Sequence, residues 1–127
     1  MNKICTSLEQ SQKLIELGIN VNTADMDYIQ FANNPKEYDC VVNVWNNEHE
    51  EDWIPAWSLA ALLDVLPKKY YPIKDHETNL IIGKPKDKWC VLYWDTTGMQ
   101  DGEETLGDNP IDACYEMIIK LHELKML

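Results

Sequence analysis

The chain has 127 residues, 45% apolar and 26% charged, with a formal net charge of −11 at pH 7. That length is enough to close one apolar core without metal or disulfide, and the composition excludes a disordered chain. No apolar run approaches the roughly 18 residues of a membrane span, and the first residues carry neither an apolar h-region nor a small-residue cleavage site, so neither a membrane nor a secretory signal is expected.

Thr6-Ser7-Leu8-Glu9-Gln10 offers two overlapping capping boxes, Thr6 with Glu9 and Ser7 with Gln10. Leu8, Leu14, Ile15 and Leu17 follow as one helical stripe and Gly18 suits the C′ position, which predicts a first helix over about 7–17. Tyr28-Ile29-Gln30-Phe31 reads as a strand, and Ala32 to Glu37 as a turn. From Tyr38 to Trp45 the residues alternate with a period of two in a β-branched run, which predicts the second strand of a hairpin over 28–45.

Asn46 to Asp52 is a polar loop carrying four acids. Pro55 suits a first helical turn and Pro67 a helix stop, with only Ser58 and Asp64 polar between them. A helix apolar nearly all round is buried, so Trp57–Leu66 is expected to be the central core helix. Tyr70 to Ile73, with Pro72, reads as a short edge strand. Leu80–Gly83 and Trp89–Trp94 flank Lys84-Pro85-Lys86-Asp87-Lys88 and predict a second hairpin. The glycine-bearing polar segment that follows, 96–109, reads as a long loop. Asn109 then caps a last helix with Pro110 at its first position. Its buried stripe is Ile111, Cys114, Met117, Ile118, Leu121 and Leu124. The expected architecture is a single α+β domain over 1–127, with a mainly antiparallel sheet of about four to five strands in two hairpins packed with three helices.

All eleven basic residues are Lys. Residues 66–90 hold six of them against three acids, whereas 1–65 hold three Lys against eleven acids and 91–127 two against eight. The absence of Arg removes the usual bidentate contact to phosphate and guanine, and with the acidic total it argues against direct nucleic-acid binding. Cys5, Cys40, Cys90 and Cys114 are widely spaced, without C-x-x-C, and each lies in or beside an apolar stretch. Free thiols in a reducing compartment account for them, so a cytoplasmic protein is expected.

His49, His76 and His122 sit in no zinc spacing, and the acidic stretches 48–52 and 101–108 do not follow the calcium-loop pattern. No phosphate loop, dinucleotide fingerprint or nucleophile elbow is present. No catalytic residue, metal or cofactor is therefore assigned, and an enzyme is disfavoured. Trp45 and Trp53, rimmed by Glu48, Glu50, Glu51 and Asp52, are the candidate partner-binding residues, although packing is the commoner fate of large aromatics.

Four segments taken together carry a family resemblance: Cys5–Ser11, Asn22–Met26, Pro55–Leu63 and Asn109–Cys114. With these motifs in this order, the chain resembles small uncharacterised proteins encoded on phages, prophages and mobile elements of Bacteroides-type gut bacteria. The resemblance spans most of the chain and is weakest between Asp27 and Asp52. It implies a bacterial, intracellular accessory protein, and it brings no catalytic residues with it. The sequence therefore favours a small acidic interaction module whose partner is another protein. Two alternatives remain open: an acidic DNA mimic that inhibits a host nucleic-acid enzyme, and an enzyme or small-molecule binder using 96–109 as a lid.

Overall fold

A computed structural model of the chain describes residues 3–31, 34–43, 48–68, 78–95 and 103–127. The chain divides into two compact units, residues 3–62 and 63–127. Each contains a three-stranded antiparallel sheet, so the architecture is α+β, with six strands among the described residues rather than four or five.

The first unit opens with α1 (Leu8–Glu16). Of the two capping boxes available, Ser7 and Gln10 form the one observed: the Ser7 hydroxyl accepts from Gln10 N at 3.1 Å, and Gln10 Oε1 accepts from Ser7 N at 2.9 Å. Thr6 is used differently. Its backbone N–H donates to the Trp57 carbonyl at 2.9 Å and its hydroxyl accepts from Trp57 N at 3.1 Å, tying the segment before α1 to the end of a strand far along the chain. Gly18 follows α1 with φ of 88°, a left-handed conformation that a β-carbon would strain.

Strand β1 (Met26–Phe31) is the centre of the first sheet, between β2 (Asn34–Val42) and β3 (Ile54–Ala56). The pairing places Tyr28 opposite Cys40, and Met26 opposite both Val42 and Ala56. The expected turn at Ala32–Glu37 is shorter than its composition suggested, because β2 already begins at Asn34; Ala32 and Asn33 lie outside the described residues. The hairpin's last expected positions, Val44 and Trp45, also lie outside them.

Pro55 corrects a second expectation. It lies in β3, an edge strand where a missing N–H is tolerated, and does not open a helix. The helix, α2 (Leu59–Val65), begins four residues later. Ser58 organises its start: its hydroxyl accepts from Ala61 N at 3.2 Å, while Asp25 accepts from both Ser58 N and Ser58 Oγ. Trp57 is fully buried, with its indole N–H donating to Thr23 Oγ1 at 2.9 Å, so the core reading of this residue holds.

In the second unit β5 (Trp89–Asp95) is central, flanked by β4 (Thr78–Gly83) and β6 (Glu104–Gly107). The predicted hairpin is therefore present. The supposed loop contributes a strand at Glu104–Gly107, while residues 96–102 and the expected edge strand Tyr70–Ile73 lie outside the described residues. Helix α3 (Pro110–Glu123) packs against β5 and β6. Asn109 caps it by accepting from Asp112 N at 2.8 Å. Ile111, Cys114, Met117, Ile118 and Leu121 are buried as predicted, but Leu124 is exposed because the helix has already ended. Gly107 admits the close approach of α3: a β-carbon there would lie 2.5 Å from Ala113 N.

Candidate functional site

The acidic loop anticipated as a partner surface presents Glu48, Glu50, Glu51 and Asp52 to solvent, and Trp53 is half-buried. Trp45 lies outside the described residues. What holds the loop is His49, weighed from the sequence only as a metal ligand. Its side chain is 6% exposed and faces the Asp27 carboxylate, whose side chain is 0% exposed. His49 Nδ1 meets Asp27 Oδ1, and Nε2 meets the Val21 carbonyl at 2.9 Å. Asn43 Nδ2 donates to the other Asp27 oxygen at 2.7 Å and to the Glu48 carbonyl at 2.8 Å.

This arrangement fixes what His49 can do. The Asp27 carboxylate and the Val21 carbonyl take up one ring nitrogen each. With both nitrogens committed inside the protein, neither is available as a general base or a metal ligand. His49 is an anchor for the loop. The partner it pairs with lies 22 residues earlier, on β1, so no local signal marked the pair.

A second cluster, this one bearing thiols, occupies the other side of β1. Cys5, Met26 and Ala56 form a buried group with Tyr28 and Cys40 packed against it. The Cys5 thiol donates to Tyr28 Oη at 3.6 Å, and Tyr28 Oη donates to the Thr6 carbonyl at 2.8 Å. Hydrogen bonding from the adjacent Cys40 thiol, opposed by burial and aided by Tyr28 and Lys3, brings Cys5 down to about 7. Once one sulfur of the pair carries the charge the other resists ionising, so Cys40 is held far above the ordinary thiol range. Cys90 and Cys114 differ: burial raises both, Cys114 to about 12. All four thiols are free.

The third feature is the outer face of the second sheet. An antiparallel sheet with one solvated face ordinarily alternates apolar-in and polar-out. In β4–β5–β6 the register places Ile81 beside Leu92, and Cys90 beside Leu106, on the face opposite buried Val91 and Tyr93. Ile81 is 45% exposed, Trp94 44% and Leu106 53%. Two adjoining open hollows lie along it, one of about 400 Å³ lined chiefly by Ile81, Pro85, Cys90 and Leu92, the other of about 430 Å³ where Pro85 and Leu106 are joined by the charged Lys86, Asp87, Lys88 and Glu104. The exposed turn 84–88 rims it with Lys84, Lys86 and Lys88, the last paired with Asp108. The signal for this face was present in the sequence: Leu80-Ile81-Ile82 and Cys90-Val91-Leu92-Tyr93-Trp94 are continuous apolar runs, the pattern of strands covered on both sides.

Among the described residues no three His, Cys, Asp or Glu side chains converge as a metal site, and no helix is long and apolar enough to cross a membrane. No protein-family model, curated protein or solved structure matches the chain.

Proposed function

We propose that the chain is an interaction module that binds another protein through the outer face of its second sheet. The observation that carries this reading is the exposure of Ile81, Trp94 and Leu106 together on one side of β4–β5–β6. Contiguous apolar surface of this kind marks interaction sites in soluble proteins, and aromatic residues are its usual anchors. The lysine-bearing turn at one end of the face favours a partner whose apolar patch is bordered by acidic groups. The same turn interrupts the negative field that a DNA mimic requires, which weighs against that alternative. With the family resemblance, the reading is of a cytoplasmic accessory protein of a bacterial phage or mobile element.

The test compares affinity capture from the native host by three forms of the full chain: unsubstituted, Ile81→Glu with Leu106→Glu, and Glu50→Lys with Glu51→Lys. Circular dichroism confirms that each is folded. The expected result is a protein retained by the first and third forms, lost by the second, and released as salt rises. Loss with the Glu50 and Glu51 substitutions alone would move the interface to the acidic loop and overturn the assignment. Sedimentation of the purified chain supplies the other decisive outcome, since a dimer dissociated by the Ile81 and Leu106 substitutions would make the occupant a second copy.

A further inference from the structure

We propose that Cys5 and Cys40 are a redox couple, a dithiol that a hydroperoxide converts to an intramolecular disulfide and a thiol reductant restores. The two cysteines come from segments 35 residues apart, and the fold brings them to the same side of β1. Cys40 stands opposite Tyr28 in the β1–β2 pairing, and Cys5 lies against the Tyr28 hydroxyl at 3.6 Å. Cys40 packs against the buried group that holds Cys5, so the two side chains share one cluster.

Their environments suit unequal roles. The Cys40 thiol and the field of Lys3 favour the Cys5 thiolate, the reactive form, against the burial that opposes it. Cys40 keeps its proton and is half-buried, the situation of a resolving thiol. Cys5 is only 3% exposed, which limits the oxidant to one of about the size of water. Hydrogen peroxide meets that condition; a bulky disulfide does not.

The chemistry proceeds in two steps. The Cys5 thiolate attacks one peroxide oxygen, the O–O bond breaks, and the departing hydroxide takes a proton to become water, leaving Cys5 as the sulfenic acid. The Cys40 sulfur then attacks the Cys5 sulfur. The S–S bond forms as the S–O bond breaks, and the Cys40 proton leaves with the hydroxyl as a second water. The two thiols have together lost two electrons and two protons, and one peroxide has become two waters. The product staples the segment before α1 to β2.

Cys90 and Cys114 serve as internal references, because burial holds both as neutral thiols. The experiment exposes the reduced full chain to hydrogen peroxide near neutral pH, alkylates the remaining thiols after denaturation, and maps the peptides by mass spectrometry. The expected result is loss of two of the four free thiols, with the Cys5 and Cys40 peptides joined within one chain and separated again by dithiothreitol. In Cys40→Ser the cross-link is absent, and a dimedone probe labels Cys5 as the trapped sulfenic acid. Retention of alkylatable Cys5 and Cys40 while Cys90 or Cys114 oxidises would overturn the proposal, as would a disulfide formed only between chains. The first readout uses the unsubstituted chain, so it stands even if the variant does not fold.

Discussion

A buried charge is tolerated only when the protein supplies what water did, and Asp27 shows how completely that can be done with three neighbours. His49 and Asn43 each hold one of its oxygens, and the Val21 carbonyl holds the far side of the His49 ring. Removing one member of a buried pair leaves the other desolvated and uncompensated, at a cost of about 3–5 kcal/mol. His49→Ala is therefore expected to destabilise the first unit by that amount, measured by urea unfolding. Asp27→Ala combined with His49→Ala is expected to cost less than the two single changes added together, since the second removal takes away the charge that the first had stranded. None of this was legible in the sequence. His49 sits among exposed acids, where a solvated loop was the natural reading, and the pairing depends on β1 passing beneath the loop. The cysteines show a related limit: each was correctly read as a free thiol in an apolar setting, but their pairwise placement is a product of tertiary structure.

At the scale of elements, local rules succeeded where the chain carries its own punctuation. Asn109-Pro110 and Ser7-x-x-Gln10 start α3 and α1 as the capping chemistry requires. They failed at Pro55, which is equally acceptable in a first helical turn and on an edge strand; pairing with β1 decided between these, and Ser58 took over as the cap. They failed again at β6, whose sequence Glu-Thr-Leu-Gly has no strand signature. Its position depends on neighbours: Thr105 Oγ1 donates to the Ala113 carbonyl at 2.8 Å, Lys120 pairs with Glu103 at 2.9 Å, and Gly107 lets α3 approach. A methyl group at Gly107 would fall 2.5 Å from Ala113 N and 2.9 Å from the Asp112 carbonyl carbon, backbone atoms that cannot rotate aside. Gly107→Ala is expected to cost about 1–3 kcal/mol through overpacking. The urea midpoint should fall with little change in slope. Gly83→Ala is the matched control, because nothing lies within 4 Å of its added carbon.

The whole molecule carries its surplus charge as carboxylates, yet its response to alkali is set by groups that carry no charge at neutral pH. In the second unit burial raises Cys114 to about 12 and raises Cys90, Tyr93 and Tyr115 above their ordinary values. Below the unfolded values, 9.0 for a thiol and 10.0 for a tyrosine, both states hold these protons and stability is independent of them. Above those values the unfolded chain releases protons that the folded chain keeps, so stability falls as pH rises. In the first unit Cys40 and Tyr28 act in the same direction. Cys5 acts in the opposite one: with its folded value near 7, the folded state has released a proton that the unfolded state still holds up to about 9.0. Its contribution is absent below about 7, grows between there and 9.0, and is complete above. Thermal unfolding of the reduced chain, followed by tryptophan fluorescence from pH 6 to 11, should therefore lose midpoint steadily above about pH 9. In Cys5→Ser the gain between pH 7 and 9 should vanish while the alkaline loss remains. Cys114→Ala should lessen that loss without touching the gain. A midpoint flat to pH 11 in the unsubstituted chain would mean that these thiols and phenols are far more open to water than the packing around α3 and β1 implies.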